Sequence, residues 1–378
     1  MRAQATPDQP VPYDRELIRS GGVSSSERRQ ARPSGDGGRR PPRQPRRRRG
    51  GFGRVLGTVL VGLLLVVVVV GVVLFGRVAA FNASVSTAPF PSTALFGALN
   101  GSDRVNVLLV GYGGADHDGA YLADSIQVLS IDPTTDTTTT IPIPRDLWIE
   151  GVGAYPRNGK VNEVFSTGHA NGGLEEAGAL LADVLSDVTG LRIEHWLSID
   201  FAGFRDMIDA VGGVTIENPT EFSYTNNETD YANRNFNLGT FPAGELRLDG
   251  AQALAYARAR YTDVPSESND FARSVRQARI LGALRDELGD GGIGSIVPGL
   301  RLMDAMEGRV RTDLSAIDLA LLASHLHSDR RIELSEDVVL RATTNTVGQY
   351  ILIPVDWTGP GDYAVIRSYL ADELSAAP

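Results

Sequence analysis

The stretch VNVLLVGYGGADHDGAYLADSIQVLSID, residues 105–132, decides the fold, because it places two apolar runs on either side of a glycine-rich loop. The runs 105–111 and 125–132 are short and rich in Val, Ile and Leu, a composition that predicts buried strands. The segment between them is rich in glycine and aspartate, as expected where a chain turns at the end of a strand. We therefore expect a sheet whose strand ends carry polar loops.

Strands and helices alternate in the rest of the sequence. Asp249 followed by Gln252 predicts a capping box at the start of one of the helices. Further strands are predicted over 137–143, 193–200, 214–219, 337–344 and 349–355, and helices over 173–190, 201–213, 250–258, 270–288, 314–326 and 362–374. This alternation predicts one α/β domain over residues 101–378, with a mixed central sheet flanked by helices.

The N-terminal part of the chain differs from the rest in composition. Residues 1–54 are rich in Arg, Pro, Gly and Ser and are predicted to be a disordered basic tail. Residues 55–75 contain no charge and are long enough to cross a bilayer as a helix, and 76–100 are predicted to be a linker. A cleaved signal peptide is the alternative, but its apolar core would be unusually long.

Charge predicts the orientation of the span. Fourteen arginines against five acidic residues give residues 1–54 a net charge of +9, which leaves −19 for the remainder because the whole chain carries −10. The positive-inside rule then predicts a cytoplasmic tail and an extracellular domain in a single-pass membrane protein. No nucleic-acid partner is expected, since no aromatic residues interleave with the arginines of the tail.

The stretch YARARYTDVPSESNDFARSVRQ, residues 256–277, concentrates arginines in the acidic part of the chain. A helix from 270 would place Arg273, Arg276 and Gln277 on one face and pack Phe271, Val275 and Ala278 inward. An extended exit from the preceding helix would point Arg258 and Arg260 the same way. A solvated basic face paired with surface acids is the alternative, but four arginines beside a helix N-terminus favour a polyanion site.

Two further clusters carry polar residues at strand ends. IPIPRDLWIEG places Arg145 and Asp146 after a strand, where a strand-end salt bridge is the alternative to a ligand site. In the first loop Asp116, Asp118 and Asp124 are hard oxygen ligands suited to Mg²⁺, although such a loop also serves as a plain turn. The absence of Cys excludes disulfides and a thiol nucleophile, and no P-loop, HExxH or GxSxG motif is present.

These three clusters, following one N-terminal apolar span, resemble the LytR-CpsA-Psr (LCP) family of cell-wall glycopolymer ligases. The resemblance rests on PRD at 144–146, DAVGGV at 209–214, DGAQALAYARAR at 249–260 and NDFARSVRQ at 269–277. It implies a polyprenyl-pyrophosphate-linked glycan as donor, peptidoglycan as acceptor and Mg²⁺ as cofactor. An apolar groove for the prenyl chain is expected between sheet and helices, with WLSIDF (196–201) and MIDAVGGV (207–214) as lining.

The resemblance also implies roles for individual residues. Arg145, Asp124 and Asp270 would be catalytic, with Asp124 and Asp118 as ligands of Mg²⁺. The pyrophosphate would be bound, together with Arg145, by Lys160, Arg258, Arg260, Arg273, Arg276 and Gln277.

The first loop departs from the family pattern at two positions. Gly113 stands where many members carry Asp, and Leu122 stands where many carry Arg. Two other functions therefore remain open: binding or hydrolysis of a polyprenyl pyrophosphate without ligase activity, and a regulatory or scaffold role of the arginine-rich tail.

Overall fold

A computed structural model describes residues 52–101, 103–115, 117–153, 155–289, 296–326, 329–336 and 338–376. Residues 1–51 of the predicted tail (1–54) lie outside these ranges, as does Asp116, whereas residues 52–54 are helical. The chain divides into Met1–Gly62 and Leu63–Pro378, and the packing described below belongs to the second unit.

Helices make up much of the described chain. They are α1 (Phe52–Val85), α2 (Ala94–Leu99), α3 (Val161–Thr189), α4 (Phe201–Ala210), α5 (Glu228–Ala232), α6 (Gly250–Arg258), α7 (Asp270–Leu288), α8 (Ile296–Met306), α9 (Ala316–Ser324) and α10 (Ala364–Ser375).

Strands are short and alternate with these helices. They are β1 (Val105–Tyr112), β2 (Ala123–Asp132), β3 (Thr137–Pro142), β4 (Trp148–Ile149), β5 (Gly159–Lys160), β6 (Ile193–Asp200), β7 (Val214–Asn218), β8 (Phe222–Thr225), β9 (Gly239–Phe241), β10 (Gly244–Leu248), β11 (Tyr261–Thr262), β12 (Val310–Thr312), β13 (Arg330–Arg331), β14 (Leu340–Thr344) and β15 (Tyr350–Pro354).

The central sheet has six strands in the order β12-β6-β1-β2-β3-β13. Strand β1 pairs antiparallel with β2 and parallel with β6, and β3 pairs parallel with β13. The predicted mixed α/β architecture is confirmed. The sequence analysis missed β12, which is only three residues long, and α8, whose amphipathic pattern over 296–306 it did not assign.

The two faces of the sheet are covered differently. Leu108 and Val110 of β1 join a core with α3 and α10, whereas Val105 and Val107 pack with residues of α2 and α9. On this second face a cavity separates the sheet from several helices, and Leu109 and Gly111 line it. Because side chains alternate along β1, Leu108 and Val110 belong to a solid core, whereas Leu109 and Gly111 border the cavity.

Helix α3 begins earlier than the sequence predicts. The chain is helical from Val161, and the predicted start at Gly173 is a kink, where Gly172 has φ −156° and Gly173 has φ +79°. Glycine tolerates the left-handed conformation that this break requires. The helix then ends at Gly190, whose φ of +72° is typical of a helix C-terminus.

Gly178 sets how closely α3 approaches the sheet, and its replacement tests this packing. A Cβ at residue 178 would clash with the indole ring of Trp196 on β6, a buried side chain that cannot move aside without opening the core. We expect Gly178→Ala to lower the free energy of unfolding by about 1–3 kcal/mol, the usual cost of overpacking. Denaturant unfolding of the protein in detergent measures it.

Gly282→Ala is the matched control, since Gly282 lies within α7 and a Cβ there meets no atom within 4 Å. Alanine is the better helix former, so this variant is expected to be more stable by about 0.5–1 kcal/mol. Equal effects of the two substitutions would contradict the close α3–sheet contact.

The segment predicted as a linker, 76–100, is instead ordered and packed. Helix α1 continues through it to Val85, and α2 follows. Phe81 and Val85 are buried with Val310 of β12, and the Asn82 side chain bonds to Ala88 O and to the Ala316 N–H. Residues 60–85 are long and apolar enough to cross a membrane. The apolar helix thus runs directly into the folded domain.

Candidate functional site

A cavity of about 1240 Å³ lies between the sheet and helices α4, α6, α7, α8 and α9. Helix α7 follows it lengthwise, because Arg273, Gln277, Leu281, Leu284 and Leu288 all line it at three- and four-residue spacing. Fifteen residues of helix span about 22 Å. The cavity therefore has a polar end at the start of α7 and an apolar end towards its C-terminus.

The apolar end is built largely from helices α1, α8 and α9, with Arg285 and Asp286 of α7 as charged residues of the lining. Its lining includes Val78 and Phe81 of α1, Met303 and Met306 of α8, and Leu319 and Leu322 of α9. Leu197, Ile199, Asp200, Phe201 and Met207 also line the cavity, so the predicted groove segments contribute some of their residues rather than all of them. A strand such as β6 turns only every second side chain to one face.

The polar end collects four guanidinium groups from separate parts of the chain. Helix α6 ends at Arg258, and Ala259 leaves it with φ −50° and ψ 114°. This extended exit lets Arg258 and Arg260 both line the cavity, where they join Arg145 from the turn after β3 and Arg273 from α7.

Arg145 is fixed by two carboxylates. Its Nη1 donates to Asp124 Oδ1 at 2.8 Å, and its Nε lies 3.8 Å from Asp146 Oδ2. Asp146 is buried and accepts from Lys160 Nζ at 2.5 Å through its other oxygen. Lys160 is not among the lining residues. The structure therefore places Lys160 behind Arg145, where it holds Asp146, and not in contact with a ligand in the cavity.

Arg273 is the most enclosed of the lining arginines. Its side chain is 11% exposed and its Nη2 lies 3.0 Å from Asp270 Oδ1. Asp270 itself is 41% exposed and lies outside the lining, so it supports the arginine from the rim. Burial lowers the pKa of Arg273, and Asp270 opposes this shift while the charge of Arg145 reinforces it. An anion in the cavity would relieve that electrostatic cost.

Arg276 does not belong to this site, contrary to the prediction. It is fully buried, and its Nε, Nη1 and Nη2 donate to Tyr256 O, Glu267 O and Ala259 O respectively. The guanidinium also lies 5.0 Å over the Phe222 ring. The complementary prediction that Phe271 packs inward is wrong, since this ring is 56% exposed.

Gln277 is held by the sheet. Its Oε1 accepts from Ser125 Oγ at 2.8 Å and from Gln127 Nε2 at 3.0 Å, both on β2. Its Nε2 donates to Ala257 O at 3.4 Å. The amide is thus fixed next to Arg273 by neighbours that the sequence reading did not connect with it.

Sequence reasoning did not connect His117 or Phe201 with the arginine cluster, and His117 contacts the lining residue Arg258 without lining the cavity itself. His117 Nε2 lies 3.1 Å from Arg258 Nη2, and the Phe201 ring lies 4.1 Å from the Arg258 guanidinium carbon. The only signal for His117 was its place in the loop after β1. Phe201 stood within a segment predicted as groove lining, where nothing linked it to an arginine.

Residues 77–354, which contain all of these side chains, match the LytR_cpsA_psr family. The chain belongs to this family. Curated relatives agree with the assignment. A protein named polyisoprenyl-teichoic acid–peptidoglycan teichoic acid transferase TagU, from Halalkalibacterium halodurans, is 28% identical over 258 residues, which cover 68% of this chain and 76% of the relative. TagU of Oceanobacillus iheyensis is 30% identical over 253 residues, 66% of this chain and 72% of the relative.

Solved structures share the LytR_cpsA_psr fold with this chain. Bacillus subtilis TagV superposes with a TM-score of 0.52 at 23% identity, covering 74% of this chain and 100% of that one. Protein gbs0355 of Streptococcus agalactiae gives a TM-score of 0.54 at 22% identity, with 74% and 91% covered. At this level of identity the comparison concerns the fold alone.

Only one of the two predicted magnesium ligands lines the cavity of this LytR_cpsA_psr chain. Asp124 lines the polar end, whereas Asp118 is exposed and outside the lining. Within the described ranges no group of three or more His, Asp and Glu side chains is arranged to hold a metal ion. Mg²⁺ commonly takes one or two carboxylates and completes its shell with phosphate and water oxygens. Asp124 fits that partial role, with its Oδ1 already accepting from Arg145.

Proposed function

We propose that this protein is a membrane-anchored phosphotransferase that moves a glycopolymer from a polyprenyl-pyrophosphate carrier to peptidoglycan. One observation carries the proposal: four guanidinium groups converge at the polar end of a long cavity whose other end is apolar and reaches α1. An amphiphile with a diphosphate head and a prenyl tail matches both ends. The relatives named as teichoic acid transferases are named for a polyisoprenyl-linked donor and for peptidoglycan as acceptor, which supports the proposal.

In the proposed complex the diphosphate contacts Arg145, Arg258, Arg260 and Arg273, and the prenyl chain follows α7 toward Phe81. Guanidinium groups suit this role because each donates several N–H groups in a rigid fork to phosphate oxygens. An acceptor hydroxyl oxygen bonds to the phosphorus nearer the glycan and loses its proton to solvent, while the bridging P–O bond breaks, so that the lipid leaves as a monophosphate. The arginines stabilise the negative charge that grows on this leaving phosphate.

Asp124 and Asp270 support this arrangement without contributing positive charge. Asp124 fixes Arg145, and Asp270 fixes Arg273. In the proposal Asp124 also holds Mg²⁺ together with phosphate oxygens of the donor. When bound, the ion would supply additional positive charge next to the transferred phosphate. We therefore expect chelation by EDTA to slow transfer, and titration of Mg²⁺ into the donor complex of Asp124→Asn to show weaker metal binding.

The proposal includes a topology. Residues 60–85 form the one candidate span within the described ranges. The arginine-rich run before it would stay in the cytoplasm, which would put the cavity outside the cell, where peptidoglycan is. Labelling of single cysteines introduced into this cysteine-free chain checks that orientation.

Ala320→Trp tests the lipid part of the proposal. Ala320 lines the cavity, and an indole there would occupy space assigned to the prenyl tail. We expect affinity for a long polyprenyl diphosphate to fall at least about tenfold, because several buried methylene groups are worth roughly 0.8 kcal/mol each. Affinity for inorganic diphosphate should be unchanged. Binding is measured with the full-length protein in nanodiscs.

Ala371→Trp, at an exposed position of α10, is the control for the bulk of the indole. It should bind both ligands as the wild type does. An Ala320→Trp protein that retains wild-type affinity for the long chain would contradict the assignment of the apolar end.

Gly113 favours a second candidate, hydrolysis of the donor without glycan transfer. This position lacks the carboxylate that many family members carry, so the site offers fewer oxygens to a metal. Incubation of the wild type with labelled donor and peptidoglycan separates the two. Transfer gives labelled peptidoglycan, whereas hydrolysis gives lipid monophosphate and free phosphoglycan.

A further inference from the structure

The loop after β1 brings a histidine to the arginine cluster. His117 Nδ1 lies 2.6 Å from the Asp118 carbonyl oxygen, and its Nε2 lies 3.1 Å from Arg258 Nη2. A carbonyl can only accept, so Nδ1 carries the hydrogen. Nε2 then presents its lone pair to Arg258, which can only donate. The two contacts define one neutral tautomer of the imidazole.

A second group holds Arg258 from another side. The Phe201 ring lies 4.1 Å from the guanidinium carbon of Arg258 and meets the His117 ring edge-on, at 5.3 Å and 89°. Phe201 is itself fixed as the first residue of α4, whose N-cap Asp200 accepts from Gly203 N. Arg258 therefore lies in a cradle formed by one aromatic face and one imidazole nitrogen.

Gly113 provides the space for His117. A Cβ at residue 113 would lie 2.9 Å from Cβ, Cγ and Nδ1 of His117, closer than side-chain carbons approach. The imidazole thus occupies the place next to residue 113 that a larger residue would need. The position of the His117 imidazole therefore depends on the absence of a side chain at Gly113.

The partner of Arg258 is uncharged, and this affects the charge of the whole site. Among the described residues, neither Arg258 nor Arg260 forms an ion pair, whereas Arg145 and Arg273 pair with Asp124 and Asp270. Within the described residues, the four guanidinium groups and Lys160 face three carboxylates, those of Asp124, Asp146 and Asp270, which leaves two positive charges uncompensated. A diphosphate diester carries two negative charges.

We propose that His117 is a positioning residue, which orients Arg258 toward the diphosphate without neutralising it. The inference rests on the proposed function, since it assumes a diphosphate at the polar end. A carboxylate at this place would orient Arg258 equally well but would cancel its charge. With a neutral imidazole the site binds the donor head through its own cations, so donor affinity should persist in EDTA.

The test measures the affinity of the full-length protein in nanodiscs for a polyprenyl diphosphate, in EDTA, for His117→Ala, His117→Gln, Arg258→Ala and the double variant His117→Ala/Arg258→Ala. His117→Ala should bind about tenfold more weakly, as expected when a charged group loses its hydrogen-bond partner. His117→Gln, whose amide oxygen can accept from Arg258, should regain most of this affinity. The double variant should bind as Arg258→Ala does, because His117 acts through Arg258.

Two results would overturn the inference. The first is that His117→Gln binds as weakly as His117→Ala although both keep the wild-type melting temperature, and the second is that the two losses add in the double variant. If His117→Ala does not fold, Gly113→Ala replaces it, since its Cβ displaces the imidazole and should cause a similar loss; wild-type affinity of Gly113→Ala would also contradict the inference. Failure of the wild type itself to bind would instead contradict the proposed function.

Discussion

Replacing Arg273 with alanine is expected to weaken binding of a polyprenyl diphosphate by at least about 30-fold, because truncating one partner of a buried charged contact costs 2 kcal/mol or more. Arg273 is the most enclosed of the cavity arginines and is held by Asp270. The substitution removes its charge and leaves Asp270 to repel the ligand. Arg273→Lys should fall between, since an ammonium keeps the charge but loses the fork of donors. Equilibrium binding of the polyprenyl diphosphate to the wild type, Arg273→Ala and Arg273→Lys, each as full-length protein in nanodiscs, measures these differences.

Arg192→Ala is the matched control for the loss of one positive charge. Arg192 is 85% exposed and lies outside the cavity lining, where it pairs with Glu194. Its removal should leave affinity within about twofold, as expected for an exposed ion pair. If Arg192→Ala and Arg273→Ala lose affinity equally, net charge alone drives binding and the polar end is not a specific site.

Arg276→Ala should instead destabilise the fold by about 3–5 kcal/mol, the range for breaking a buried ion pair. The guanidinium is fully buried and connects three stretches of chain, since it donates to Tyr256 O, Ala259 O and the Glu267 side chain. Alanine leaves the Glu267 carboxylate and three backbone carbonyl groups without their donor. Denaturant unfolding in detergent measures the loss, and donor affinity at low temperature should change far less than in Arg273→Ala.

Glu267→Gln probes the charged part of this network separately. Gln keeps a side-chain oxygen that can accept from Arg276 Nη1 but removes the negative charge. It should cost less than Arg276→Ala, because the carbonyl contacts remain. An Arg276→Ala protein with wild-type stability and reduced donor affinity would show that Arg276 belongs to the ligand site after all.

The different roles of Arg273 and Arg276 follow from their places on α7. They are three residues apart and lie near one face, as the helical period requires. Yet α7 packs between the cavity and a second core that contains Tyr256 and Phe222. At about 100° of rotation per residue, two side chains three positions apart point about 60° away from each other, which turns Arg273 to the cavity and Arg276 to that core. Helical spacing alone cannot show where the boundary between the two falls.

Much of the secondary structure could be predicted, because its signals are local. The strands around 105–132 follow from apolar runs and an intervening loop, and the capping box of Asp249 and Gln252 forms as expected. Helix α7 begins after Asn269, whose side chain accepts from Ala272 N. The missed elements have weaker local signals. The first half of α3, residues 161–171, contains polar residues and glycine, and β12 is three residues long.

The amino-acid sequence by itself determined the α/β class, the apolar N-terminal span and the concentration of arginines in 256–277, since composition and periodicity depend on neighbouring residues only. The tertiary structure alone decided which charged groups face a common cavity. It turned Arg276 into the core, placed Lys160 behind Asp146 and brought His117 to Arg258, which is 141 residues away. Such contacts depend on how the sheet and helices pack, and no local pattern encodes the distance between residues that are far apart in the chain.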